Sequence, residues 1–261
     1  MGTSKTRSST VKKQRKTVTR KNTVASDVKR SESLPNIVSV HVVNLDKDIG
    51  RWRTMQKSLK NVKPAAHRWP AIYGKDLIRT DMHRLGVGFN MVHSGKGEYS
   101  KQHKNLRNLG AVGCFLSHRN LMSHLSFTNV PESAGHLILE DDADIPPHFL
   151  TKGGEWLEKR GEIPADWDII YMGINKPIGK HISTHVMKLT HAIQDEGNWG
   201  THAYIVRHGS LKTKILPWLK YMIDSIDLQF NIKFDEWNVY AFDPSIVHLG
   251  EAAKKSTIQT M

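Results

Sequence analysis

Four carboxylates, Glu140, Asp141, Asp142 and Asp144, fall within five positions of this chain. They follow directly on Gly135-His136-Leu137-Ile138-Leu139, an apolar run without helical period that reads as a buried strand. Carboxylates at this density repel one another and usually need a cation. Hard oxygen ligands suit Mg²⁺ or Mn²⁺ held jointly with substrate phosphates. Open α/β sheets bind ligands where their strands emerge, which is where this cluster stands. Strand alternation turns Glu140 and Asp142 to one side and Asp141 to the other. The competing reading is a solvated acidic turn capping a helix that begins near Pro146.

Other candidates stand beside the acids. Asp224 and Asp227, in Ile223-Asp224-Ser225-Ile226-Asp227-Leu228, mark the start of a short helix. They read either as helix caps or as a general base. His248, after the apolar Ile246-Val247 pair, is a metal ligand or a surface residue. His118 shares a helical face with Cys114, Leu121 and Leu125, which fits a hydrogen-bonded core histidine or a ligand. Ser117 and Arg119 beside it offer a reach to a phosphate instead, and Arg51 and Arg53 after the first strand read either as contacts of an anionic ligand or as solvated surface arginines. No H-E-x-x-H, P-loop or G-x-S-x-G motif is present, which removes the common zinc proteases, P-loop ATPases and serine hydrolases.

The elements that position these groups alternate. A β-branched run from Asn36 to Val43 reads as a strand buried on both faces, and Arg51 to Leu59 reads as a helix. A polar stretch over residues 94–108 reads as a mobile loop, followed by a helix from Ala111 to Phe127. Further strands are expected at Gly135–Leu139, Trp167–Met172 and Thr201–Val206, the last followed by a helix through Leu216. The class is therefore α/β with a mostly parallel sheet.

The formal charge of +13 would suggest nucleic acid were it not so unevenly spread. Residues 1–35 hold ten basic and two acidic side chains with almost no large apolar ones. They read as a disordered basic tail ahead of a catalytic domain over residues 36–261. Met1-Gly2-Thr3-Ser4-Lys5-Thr6 fits an N-myristoylation pattern at Gly2, so weak membrane-surface contact through the tail is one reading. A nuclear-localisation or nucleic-acid arm is another. A single cysteine, Cys114, excludes an intramolecular disulfide and a Cys-rich zinc site. With no secretory leader and no transmembrane run, the expected compartment is the cytoplasm, or host cytoplasm or a virion for a viral chain.

In order, the motifs are Val43-Asn44-Leu45-Asp46 with Arg51, Gly113-Cys114-Phe115-Leu116-Ser117-His118-Arg119-Asn120, and Leu137-Ile138-Leu139-Glu140-Asp141-Asp142-Ala143. Asp166-Trp167-Asp168-Ile169-Ile170, Gly200-Thr201-His202-Ala203-Tyr204-Ile205, Ser225-Ile226-Asp227 and Ser256-Thr257-Ile258 complete them. Together they resemble glycosyltransferase family 25, which includes lipooligosaccharide and procollagen galactosyltransferases. The resemblance implies a GT-A type nucleotide-binding sandwich, a UDP-sugar donor, most often UDP-galactose, and Mn²⁺. It implies a metal motif at Glu140-Asp141-Asp142, with Glu140, Asp142 and His248 as the expected ligands. Asn44, Asp46, Arg51, Ser117, His118, Asp141, Gly200 and Thr201 are the expected contacts of the nucleotide sugar. The family's inverting chemistry implies one carboxylate base, Asp227, with Asp224 in reserve, acting on a glycan or glycoprotein hydroxyl. The alternative from another class is a catalytically decayed nucleic-acid-binding or scaffold protein using the tail. Intact acids at 140–142 and Asp227 favour the enzyme, and nucleic acid is not an expected partner.

Overall fold

The computed structural model describes residues 34–77, 79–87, 109–193 and 196–255. The expected basic tail up to residue 33, the polar loop over 94–108 and the Ser256-Thr257-Ile258 motif lie outside these described residues. The β-branched run becomes β1 (Asn36–Asn44), and after a turn at Leu45 to Asp48 comes α1 (Ile49–Ser58). Then follow β2 (Ala66–Pro70), α2 (Arg79–Arg84), α3 (Leu109–Leu125) and β3 (Ala134–Glu140). The acid cluster leads into β4 (Ala143–Asp144), α4 (Glu155–Lys159) and β5 (Ile169–Asn175). A short pair, β6 (Gly179–His181) and β7 (Val186–Leu189), precedes β8 (Trp199–Arg207). The expected helix after β8 is α5 (His208–Ser210), a π turn at Leu211–Ile215 and α6 (Leu216–Trp218). Next come α7 (Ile226–Asn231), β9 (Val239–Phe242) and β10 (His248–Leu249).

Eight strands make one sheet in the order β2-β1-β3-β8-β5-β9-β7-β6. β1 pairs parallel with β2 and β3, and β5 with β9. β8 runs antiparallel to both β3 and β5, and β7 to both β9 and β6. Six of the eight strands thus point one way, with β8 and β7 reversed. This is the expected α/β class with a mostly parallel central sheet, consistent with a GT-A type sandwich.

Period-two alternation divides the central strands between two cores. Ile138, Tyr171, Tyr204 and Val206 pack with Phe115, Leu116 and Leu121 of α3 and Phe230 of α7. Leu137, Leu139, Ala203 and Ile205 pack on the other face with Met55 of α1 and Trp156 of α4. Cover on both faces explains why these strands read as continuous apolar runs.

The turn after the acids differs from the helix-cap reading. No helix starts near Pro146; Ala143 and Asp144 pair with Leu249 and His248 as a two-stranded ladder. The acids therefore close a buried strand rather than cap a helix. No helix among the described residues is long and apolar enough to cross a membrane.

Candidate active site

Strand direction assembles the site. β1 and β3 run parallel and end at Asn44 and Glu140, while the reversed β8 starts at Trp199. Asn44, the acids and Gly200-Thr201 therefore reach the same rim of the sheet. The pleat then separates neighbouring acids. Glu140 shares the parity of Ile138 and turns towards α3, whereas Asp141 shares that of Leu139 and turns towards α1.

On the α3 side, Glu140 Oε1 accepts a hydrogen bond from Thr201 Oγ1 at 2.5 Å and lies 3.5 Å from His118 Nε2. His118 is completely buried, with Nδ1 2.7 Å from the Tyr204 hydroxyl. It is thus a core histidine and a neighbour of the acids at once. On the α1 side, Asp141 accepts from Asn44 Nδ2 at 2.6 Å and from Arg51 Nη1 at 3.0 Å. Arg51 also donates to the Ala252 carbonyl, and Arg68 Nε donates to Asn44 Oδ1 at 2.6 Å.

Asp142 differs from both. It lies two residues past the end of β3, and its carbonyl accepts from Gly250 N–H. Its buried Oδ1 has no hydrogen-bond partner among the described residues. Burial first, then the charges of Glu140 and Asp141, push its carboxyl up to about 7. Burial raises the Asp141 carboxyl too, against the lowering effect of Asn44 and Arg51. Burial opposes ionisation of Glu140 as well, but hydrogen bonding and charge from His118, with the Thr201 hydroxyl, carry the net shift downward. A cation beside Asp142 would relieve a buried carboxylate oxygen that has no hydrogen-bond partner among the described residues.

An open cleft of about 580 Å³ lies against these groups, lined by Leu45, Arg51, Tyr73, Cys114, His118 and the three acids among others. One wall depends on two glycines. A Cβ on Gly113 would sit 2.5 Å from the Ile72 carbonyl oxygen, and one on Gly74 would overlap the Leu109 carbonyl. Ser117 fastens the same contact, donating to the Gly113 carbonyl and accepting from Ile72 N–H. Its hydroxyl is engaged in the wall, although the residue lines the cleft.

The remaining candidates divide. Asp227, in the first turn of α7, accepts from Gly200 N–H at 3.0 Å, from Ser225 Oγ and from its neighbour Leu228 N–H. It therefore joins the rim through the residue beside Thr201. Asp224 is buried and accepts from Ser225 N–H. Asp46 is exposed and pairs with Arg68. His248 is exposed on β10 opposite Asp144, one ladder away from the acids. Arg119 turns from the cleft to the Leu85 carbonyl.

Sequence reasoning did not single out Arg68, Asn198 or Trp199, and it named Tyr204 only within a motif, without a role. Asn198 is buried with φ +62°, and its amide joins Thr190 O and Asn231 Oδ1. With Lys176 at φ +47° and Gly200 at φ +91°, it frames Trp199 at the mouth of β8. Asn-Trp-Gly is the only signal, since Asn and Gly both tolerate left-handed backbone.

Comparison with known proteins adds an independent line. The sequence model described as glycosyltransferase family 25 (LPS biosynthesis protein) matches residues 37–220. Procollagen galactosyltransferase 1-A of Xenopus laevis is 30% identical over 153 residues, 58% of this chain and 24% of its own length. A glycosyltransferase 25 family member of Anopheles gambiae is 29% identical over 134 residues, 51% of this chain and 21% of its own. One from Drosophila melanogaster is 25% identical over 185 residues, 70% of this chain and 29% of its own. The matched stretches thus span less than a third of these curated relatives.

Proposed function

The chain belongs to glycosyltransferase family 25, and on that premise we propose that it transfers a hexose, galactose first among them, from a UDP-sugar to a hydroxyl of a glycan or glycoprotein. The observation that carries the reading is the buried, unpartnered Asp142 Oδ1 beside Glu140 at the mouth of the cleft. The relatives' galactosyltransferase names favour galactose, and the family description favours lipooligosaccharide-type acceptors.

The donor set suits a hard divalent ion, Mn²⁺ or Mg²⁺. Asp142 and Glu140 would hold it, with His248 the further candidate from β10. The chemistry such an ion supplies is neutralisation of the charge that develops on the departing diphosphate. The chain's own residues do the rest. Arg51 and Asn44 orient Asp141 at the donor side of the rim. Thr201 and His118 hold Glu140 ionised and fixed in direction. Asp227 takes the proton from the acceptor hydroxyl, with the Gly200 N–H fixing its Oδ2, and inversion follows from attack on the face opposite the leaving group. Asp224, buried and bonded to Ser225 N–H, is the reserve.

A panel of UDP-sugars with and without Mn²⁺ tests the reading through release of UDP. One sugar nucleotide should be turned over only with the ion. No release from any member of the panel, and no binding of UDP, would overturn it. The catalytic unit is proposed to begin near Pro35, so limited proteolysis that removes the basic tail should leave UDP release intact.

A further inference from the structure

The oxygens of Asp142 and Glu140 are not the only ligand atoms at this rim. Cys114 Sγ, His118 Nε2 and Glu140 Oε1 all lie within 4.8 Å of one another, and they are the only such group of three among the described residues. Two of the three are already at 3.5 Å, the spacing of ligands around a small tetrahedral ion. With bonds of roughly 2.0–2.3 Å, closing the group needs side-chain movements of about an ångström. Three features suggest a site rather than a chance grouping. His118 is completely buried, and its Nε2 makes no contact closer than its 3.5 Å approach to the Glu140 carboxylate, at which it is aimed. Its other ring nitrogen is fixed by the Tyr204 hydroxyl, the outer contact that sets ring orientation and tautomer in metal-binding histidines. Cys114 and His118 are four apart on α3, so one helical face presents both to the end of β3.

We propose that Cys114, His118 and Glu140 form a second, softer metal site that takes Zn²⁺, with its fourth position open to the cleft. A thiolate, an imidazole and one carboxylate select Zn²⁺ over Mn²⁺ or Mg²⁺, which prefer oxygen alone. On binding, the Cys114 S–H bond breaks, a Zn–S bond forms and the proton leaves to solvent. His118 offers its Nε2 lone pair while Nδ1–H donates to Tyr204. The site stands on these side chains and does not depend on the sugar-transfer reading. The two ions would compete for Glu140.

The test uses the full chain stripped of metal, with Co²⁺ as an optical probe and Zn²⁺ as competitor. Binding through Cys114 gives a thiolate-to-cobalt charge-transfer band that Zn²⁺ bleaches and Mg²⁺ does not. Cys114→Ser should abolish the band and weaken Zn²⁺ binding by about 100-fold. Because Cys114 is the only cysteine, wild-type alkylation gives a second readout that needs no variant. Stoichiometric Zn²⁺ should slow alkylation at least roughly tenfold. Co²⁺ binding without the band, or alkylation at the same rate with and without Zn²⁺, overturns the proposal. Mn²⁺-dependent UDP release is measured on the same preparation, so a failed transferase reading and a failed zinc site give different results.

Discussion

Two aspartates, Asp168 buried and Asp142 half-buried, stand at opposite ends of the central sheet, and they are treated in opposite ways. Asp168, just before β5, is 3% exposed and fully engaged. It accepts from Ser210 Oγ, from Lys214 Nζ at 2.7 and 2.9 Å, and from Asn238 N–H at 2.9 Å. Asp142, just after β3, keeps a buried oxygen with no partner and two ionisable acids as neighbours. Asp168 ties β5 to the segment before β9 and to the helical stretch after β8. The Asp142 side chain ties little, because its buried Oδ1 has no partner among the described residues. On the proposed reading, satisfaction of hydrogen bonds separates a structural carboxylate from a binding one.

The most direct way to break the comparison is to remove Asp142. Asp142→Ala should lower ion-dependent UDP release by roughly 100-fold or more, while the ligand-free protein melts no lower, since one repelling charge is gone. Wild type should gain stability from UDP and Mn²⁺ together, and the variant should not. A variant that melts far lower without ligands would make Asp142 as structural as Asp168. Asp227→Asn comes next: transfer should fall by about 100-fold with UDP affinity nearly unchanged. Asparagine keeps an acceptor for the Gly200 N–H but takes up no proton. Near-normal transfer in that variant would move the role to Asp224.

Asp168→Ala should show the reverse pattern. Lys214, Ser210 and a buried amide would lose their acceptor, costing about 3 kcal/mol and lowering Tm by roughly 6–12 °C. Ion-dependent UDP binding by the folded fraction should persist. Loss of that binding at a temperature where the variant is folded would link the two ends of the sheet.

The smallest effect is a slope. Burial, then neighbouring histidines, pushes both His41 and His136 down to about 4 from an ordinary 6.5. Between those values the unfolded chain binds more protons, so stability falls as pH drops from 6.5 towards 4. Asp142 acts in the opposite direction. Its carboxyl is raised to about 7, so the folded state binds the extra proton and gains stability as pH falls from 7 towards 4. Asp142→Asn should therefore steepen the loss of Tm with acid in the metal-free protein. An unchanged slope would show that the carboxyl titrates as an ordinary exposed acid.

Much of this was legible in the sequence, for identifiable reasons. β1, β3, β5 and β8 are covered on both faces, so their apolar runs stand out without a partner to compare. Helix α3 shows its face through Cys114, His118, Leu121 and Leu125. β6, β7, β9 and β10 are two to four residues long, too short for a periodic signal. The acid cluster announced itself by composition. Which acid would be satisfied did not, because Asn44 and Arg51 reach Asp141 across 97 and 90 residues of chain. His118 left two readings open, and the fold places it in the core with Nε2 3.5 Å from Glu140. Arg68 carried no local pattern; only the parallel pairing of β2 with β1 brings it to Asn44.

The placement of β8 also bears on how the molecule is made. This strand lies between β3 and β5, yet it is synthesised after both. Until residues 199–207 leave the ribosome, β3 and β5 each present an open backbone edge, the kind that pairs with foreign strands. At roughly 5–20 residues per second, that interval after β3 lasts several seconds. The same late strand carries Gly200 and Thr201 to the acids. A nascent chain stalled before Trp199 would therefore lack at once the strand that fills this gap and the Thr201 contact to Glu140, while Asp227 and β9 follow later still.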